Sequence, residues 1–168
     1  LGFRFSFSVG NRKWKILAYY TQLSNLITLI SSICFLILGG KVAWLRYIST
    51  CMLAMTFLVT VFVLVPMGGG FKKMMLYKMG LYHHTLCPTL SILSYILLEP
   101  HVNMWYLPVI ITTVYGLIML YLNWKKQFDG PYPFFRVHRQ SLAATVLWMV
   151  GLIVFMLLLS MGIGMIAK

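Results

Sequence analysis

Five long apolar stretches follow one another along this chain, with only short polar connections between them. A membrane-spanning helix needs about 20 mainly apolar residues to cross about 30 Å of hydrocarbon. The stretches run approximately over residues 16–38, 47–67, 79–98, 105–123 and 141–166. They are apolar throughout rather than at alternate positions, which is typical of helices and not of the strands of a membrane barrel. The sequence therefore predicts an all-α, polytopic transmembrane bundle with five spans.

The shortness of the connections predicts the domain organisation. No soluble domain fits between the stretches, so we predict one integral-membrane domain over residues 1–168. The sequence begins at Leu1, and residues 1–10 are too short to cross a membrane. We interpret them as the tail of a missing sixth, N-terminal span, or as an interfacial segment.

The charge of the chain is strongly positive and unevenly distributed. The sequence has 14 Lys and Arg residues against two acidic residues, a formal net charge of +12. Eleven of the 14 basic residues lie in the segments 1–15, 67–78 and 124–140. By the positive-inside rule, these segments are predicted to be cytoplasmic and the C-terminus to lie outside the cell membrane. We interpret the charge as topology and expect anionic lipid headgroups, not nucleic acid, as its partners, at about 1 kcal/mol per charge.

Polar residues form a stripe along the first predicted span. Thr21, Ser24, Asn25, Thr28 and Ser32 follow the spacing i, i+3, i+4, i+7 and i+11, which places them on one face of a helix. Such a stripe must face the bundle interior, because an unpaired polar group in hydrocarbon costs several kcal/mol. Interhelical hydrogen bonding, worth about 0.6 kcal/mol per contact, is one interpretation, and a functional site is the other.

The third predicted span contains two adjacent histidines, His83 and His84, followed by Pro88. Ionisable residues inside a span are functional candidates by default. The proline removes a backbone hydrogen bond, which is predicted to free the carbonyl of His84. A structural histidine pair, a catalytic pair and a ligand site all stay open as interpretations. We expect no metal, because no carboxylate lies at the depth of the histidines, and no cofactor, because no second span has a histidine at a depth suitable for haem ligation.

Thr21 and His84 each lie about five residues inside a span that enters from the same face. At 1.5 Å per residue, both lie roughly 7–8 Å below one surface. A histidine can take the proton of a threonine hydroxyl, which then attacks an acyl carbon. We therefore predict Thr21 and His84 as the catalytic pair. The predicted substrate-binding residues, which include donors for an oxyanion, are Ser24, Asn25, His83, Thr85, Ser91 and Tyr132.

Four short motifs carry a resemblance to a known family. In order they read WKILAYYTQLSNL, LYHHTLCP, LLEPH and DGPYPFF. This order resembles the androgen-induced protein family, multipass membrane threonine hydrolases of fatty acid esters of hydroxy fatty acids. It resembles more closely a related bacterial family of predicted six-pass membrane proteins. The similarity covers about residues 14–138 and implies Thr21 as nucleophile and His84 as base. The matching residues are Trp14, Lys15, Thr21, His84, Thr85, Pro88, Glu99, Pro100, His101, Tyr132, Pro133 and Phe134.

Three functions remain as hypotheses from the sequence. The first is an integral-membrane hydrolase of lipid-like esters that uses a threonine nucleophile and a histidine base. The second is a non-catalytic polytopic subunit that docks to another membrane protein. The third is a lipid or small-solute carrier, which requires an open cavity through the bundle.

Overall fold

The computed structural model describes residues 18–128 and 132–166. The described residues form helices and connecting turns, with no β-strand among them, which confirms the all-α prediction. Trp14, Lys15, Asp129 and Lys168, the start of the first predicted span and the expected sixth span lie outside the described residues.

The first two helices form an antiparallel hairpin. Helix α1 (Tyr20–Leu38) and helix α2 (Ala43–Val59) are joined by a 3-10 turn at Gly39–Val42. Paired hydroxyls show the antiparallel register, since Ser24 lies beside Thr56 and Ser31 beside Ser49. Ser24, a member of the polar stripe predicted on the first span, therefore faces the second helix and has a partner there, as the cost of an unpaired hydroxyl in hydrocarbon requires.

The region after α2 departs from α-helical geometry. Three π-helical segments follow, at Thr60–Gly69, Lys72–Leu76 and Leu81–Leu86, and then helix α3 (Cys87–Leu98). Gly68 inside the first segment has a φ of 104°, a conformation that glycine adopts without steric cost. The chain turns back there, so the π segment that carries the histidines packs beside the end of α2.

Two longer helices complete the bundle. Helix α4 (Tyr106–Trp124) begins with Pro108 in its first turn, where a missing N–H costs little. Two short 3-10 helices at Pro133–Phe135 and Val137–Arg139 lead to helix α5 (Leu142–Ile166). The buried residue Tyr47 of α2 donates a hydrogen bond to the carbonyl of Ser160 at 2.7 Å, which fixes the last turns of α5 against α2.

Three helical stretches are long and apolar enough to cross a membrane: Tyr20–Gly69, which contains the α1–α2 hairpin, Tyr106–Trp124 and Leu142–Ile166. This supports the prediction of a membrane protein. Each of the five predicted windows overlaps one α-helix, but α3 has only 12 residues and spans about 18 Å by itself. The count of five spans is therefore not confirmed.

The core is centred on α2. Thirteen of its 17 residues are buried, including Tyr47 and Met52. By contrast, α5 exposes large apolar side chains such as Leu147 and Leu158. This distribution is typical of a bundle with a packed interior and a surface that contacts hydrocarbon rather than water.

Candidate functional site

A cavity of about 50 Å³ lies between α1, α2, α4, α5 and the loop residues 132–135. This volume accommodates about three water molecules and is much smaller than an acyl chain. Its apolar wall includes methionine, leucine and aromatic side chains. The hydroxyl-bearing residues that line it are Tyr20, Thr21, Thr56, Thr60, Thr112, Tyr115 and Tyr132.

Thr21 lies on this cavity in the first turn of α1. Its backbone N–H has no partner within the helix, as for every first-turn N–H. The phenolic oxygen of Tyr132 accepts a hydrogen bond from this N–H at 3.3 Å and also lies 3.3 Å from the Thr21 hydroxyl oxygen. Burial raises the pKa of Tyr132, so its hydroxyl stays protonated at neutral pH. The structure thus brings together two of the predicted site residues from positions 111 residues apart.

An aromatic cluster holds Tyr132 in place. Its ring stacks on Phe134 with a centroid distance of 5.2 Å, and Phe134 contacts Trp148 of α5 at 5.6 Å. Phe135 also lies within the core. The Tyr-Pro-Phe-Phe motif therefore inserts into the bundle and closes one side of the cavity.

His84 has a different partner from the one predicted. Its Nδ1 atom lies 3.0 Å from the hydroxyl oxygen of Thr60. Thr60 lines the cavity that Thr21 also lines, whereas His84 lies behind Thr60. Among the hydrogen bonds of the described residues, none joins Thr21 to His84 directly. Thr60 thus lines the cavity that Thr21 also lines and contacts His84 as well.

Asn25 and His83 connect α1 to the π segment. The Asn25 side-chain amide donates to the carbonyl of Thr21 at 2.7 Å and to that of His83 at 3.4 Å. The Gln22 amide lies 2.9 Å from Nδ1 of His83. These contacts attach the histidine segment to α1, but neither Asn25 nor His83 lines the cavity.

The π-helical register changes the consequence of Pro88. The N–H of Cys87 bonds to the carbonyl of Tyr82, five residues earlier. In this register the proline nitrogen faces the carbonyl of His83, which accepts from Asn25 instead. The prediction that the proline frees the carbonyl of His84 assumed an α-helical offset of four residues, which the end of this segment does not have.

Three further predicted substrate-binding residues do not themselves line the cavity. Ser24 bonds to the Thr21 carbonyl and lies beside Thr56, both at 3.0 Å. Thr85 donates to the carbonyl of Met75 at 2.7 Å. Ser91 lies 2.9 Å from Thr50, deeper in the bundle. These hydroxyls connect helices, and their assignment to substrate remains a prediction.

A buried ion pair, absent from the sequence prediction, lies near the opposite end of the bundle. Arg46 and Glu99 are joined at 2.8 Å, and their side chains are only 4% and 3% exposed. Arg46 Nη1 also donates to Ser32 at 2.9 Å, and Ser94 donates to the Glu99 carboxylate at 2.8 Å. The sequence contained a signal for this pair, because Glu99 is one of two acidic residues in a chain with 14 Lys and Arg residues. A lone carboxylate beside a span requires a counter-ion.

The described residues contain no group of three or more His, Cys, Asp and Glu side chains placed to hold a metal ion. Comparison of the chain with models of protein families, with curated proteins and with solved structures finds no match. A function must therefore be inferred from the residues around the cavity.

Proposed function

We propose that this chain is an integral-membrane hydrolase of lipid-like esters, with Thr21 as nucleophile and His84 as general base. The observation that supports it is a shared cavity: Thr21 and Thr60, the hydrogen-bond partner of His84, line the same small space. In this proposal, five spans of the chain cross the cell membrane. Its basic loops are cytoplasmic and contact anionic headgroups, and its C-terminus lies outside.

The proposed reaction is acyl transfer to threonine followed by hydrolysis. The Thr21 oxygen attacks the ester carbonyl, and its hydroxyl proton passes through bridging water to His84, which does not itself line the cavity. The bond from the carbonyl carbon to the alcohol oxygen breaks, and the proton returns to the leaving alcohol. Water activated by the same histidine then releases the fatty acid and restores Thr21.

The position of Thr21 in the first turn of α1 favours this chemistry. A helix N-terminus carries a partial positive charge, which stabilises negative charge that develops nearby. The protonated Tyr132 hydroxyl lies beside the Thr21 oxygen and can donate to an alkoxide or oxyanion at this position. The small cavity volume accommodates the reacting carbonyl and a water molecule. The acyl chain would lie against the apolar outer surface of the bundle.

The test uses a fluorophosphonate probe and a long-chain p-nitrophenyl ester with the purified protein in detergent. We expect covalent labelling and ester hydrolysis in the native chain. Both should fall by at least about 100-fold in Thr21→Ala and in His84→Ala, the contribution typical of general base catalysis. Thr28→Ala is the matched control, since its hydroxyl donates to the carbonyl of Ser24 in the same helix. Labelling that is equal in all four proteins would reject the hydrolase.

A non-catalytic subunit is the second candidate, and the hydroxyl pairs of α1 favour it. Ser24 with Thr56 and Ser31 with Ser49 are typical interhelical bonds. In this case the outward face of α5 would contact another membrane protein. The two candidates differ in the probe experiment, because a subunit predicts no labelling that depends on Thr21. The carrier hypothesis gains no support from a cavity of this size.

A further inference from the structure

We infer that Thr60 is the positioning residue of His84: it holds the imidazole with its proton on Nδ1 and leaves Nε2 as the proton acceptor. The inference deepens the proposed function and rests on it for the identity of the base. Thr60 lies in the helical segment that continues α2. In this inference it orients the histidine, as a carboxylate does in the hydrolase triads.

The Thr60 hydroxyl has a single proton, and its acceptor can be identified. The Thr60 oxygen lies 2.7 Å from the carbonyl oxygen of Thr56, one turn earlier. A carbonyl oxygen can only accept, so the threonine donates its proton to it. Thr60 is 1% exposed, and its β-branched side chain has few rotamers in a helix. The direction of the Thr60 hydroxyl is thereby determined by its own helix.

The direction of the Thr60 proton determines which ring nitrogen of His84 is protonated. Because the proton of Thr60 is directed to Thr56, the Thr60 oxygen can only accept from Nδ1 of His84 at 3.0 Å. The proton of a neutral His84 is therefore on Nδ1, and Nε2 carries the lone pair. Nε2 makes no hydrogen bond to any of the described residues. In this tautomer Nε2 is the nitrogen that can accept a proton, as a general base must.

The backbone around this contact is unusual on both sides. Thr60 is the first residue of the π segment Thr60–Gly69, and His84 lies inside the π segment Leu81–Leu86. Such changes of helical register are frequent at functional sites. A neutral acceptor also suits this depth, because a buried carboxylate costs several kcal/mol unless it is paired. Threonine can set the tautomer without adding a charge.

The direct test is nitrogen NMR of the full chain in detergent micelles, with ¹⁵N-labelled histidine at a pH where His84 is neutral. His84→Gln identifies the signals among those of the four histidines. We expect one tautomer with the proton on Nδ1 in the native chain and in Thr60→Ser. We expect a mixture of tautomers in Thr60→Val, which has the same shape and lacks the hydroxyl. Thr28→Val is the control and should leave the signals unchanged.

A proton on Nε2 in the native chain would overturn the inference without any variant. An unchanged tautomer in Thr60→Val would overturn it as well. Both readouts are independent of catalysis, so the inference and the proposed hydrolase can fail separately.

Kinetics supply the second arm. Thr60→Val should lower kcat for the ester by about 10- to 100-fold, part of the general-base contribution, with little change in KM. Thr60→Ser should restore most of the activity. A loss of ester binding with an unchanged kcat would indicate a packing role and contradict positioning. Hydrolysis that requires Thr21 and His84 but is insensitive to Thr60→Val would refute the inference and leave the hydrolase intact.

Discussion

Arg46 and Glu99 place two opposite charges inside a bundle that has few charges anywhere else. Two nitrogens of the guanidinium bond to the two carboxylate oxygens at 2.9 and 2.8 Å. Such a fork is the strongest arrangement available to this pair. Removal of one member would leave the other charge buried without a counter-ion. The pair therefore joins the start of α2 to the end of α3 and makes each side chain depend on the other.

Substitution of either partner should destabilise the bundle. We expect Arg46→Met and Glu99→Leu each to lower the free energy of unfolding by about 3–5 kcal/mol, since each leaves a buried unpaired charge. The double variant should lose less free energy of unfolding than the two single variants lose in sum. Unfolding of the three variants in the same detergent, monitored by circular dichroism, measures these free energies. Lys41→Met, at an exposed position of the 3-10 turn, should be nearly neutral, and single variants as stable as this control would contradict the expectation.

The π segments decide where the histidines lie. An α-helical continuation would rotate His83 and His84 away from the faces they now occupy, because each π turn adds a residue. The segment that carries them begins directly after Gly80. A Cβ atom at this glycine would meet the backbone carbonyl of Met74 in the preceding π segment. The close approach of two backbones therefore requires glycine here and positions the His84 segment.

Gly80→Ala should disturb this element. The added methyl cannot be relieved by a side-chain rotation, so the backbone must shift, at a cost of about 1–3 kcal/mol. The tautomeric state of His84 and the probe labelling of Thr21 should change with it. Gly151→Ala is the matched control, because a Cβ atom at Gly151 meets nothing within 4 Å. Equal unfolding temperatures for the two variants would show that the π segment tolerates the methyl group.

At the scale of the whole molecule, basic side chains are concentrated at one end of the bundle. Lys72, Lys73 and Lys78 lie between α2 and α3, and Lys125 and Lys126 follow α4. The candidate site lies toward the same end, where Tyr132 meets Thr21. The Arg46–Glu99 pair lies toward the other end, near the turn between α1 and α2. The two polar clusters therefore belong to different ends of one bundle.

The proposed orientation predicts which end faces the cytoplasm. Cysteines introduced at Lys73 and at Lys126 should be protected from a membrane-impermeant maleimide in intact cells and react after the cells are opened. A cysteine at Lys41 should react in intact cells. The native Cys34, Cys51 and Cys87 lie within predicted spans. They are first replaced by alanine, so that only the introduced cysteine can react. The reverse pattern would invert the topology and place the candidate site at the outer surface.

Much of the architecture was predictable from the sequence, and the site was predictable only in part. Hydropathy located the windows, and each overlaps one α-helix, although α2 ends at Val59 rather than near residue 67 and α3 begins at Cys87 rather than near residue 79. Thr21 and Tyr132 were both among the predicted site residues. Thr60 was not, because a lone threonine in an apolar window resembles many packing residues. The partner of His84 depends on the rotation of α2 and on a π offset, and neither is visible in hydropathy.

The sequence by itself determined that this chain folds as helices with apolar outer surfaces. Lipid offers no partner for backbone N–H and C=O groups, so long apolar segments must satisfy them internally. Only the tertiary structure decided which polar groups meet: Thr21 with Tyr132, His84 with Thr60, and Arg46 with Glu99. A hydroxyl in a span needs some partner, and many would serve. The choice among them is made by packing, which sets the rotation and register of each helix.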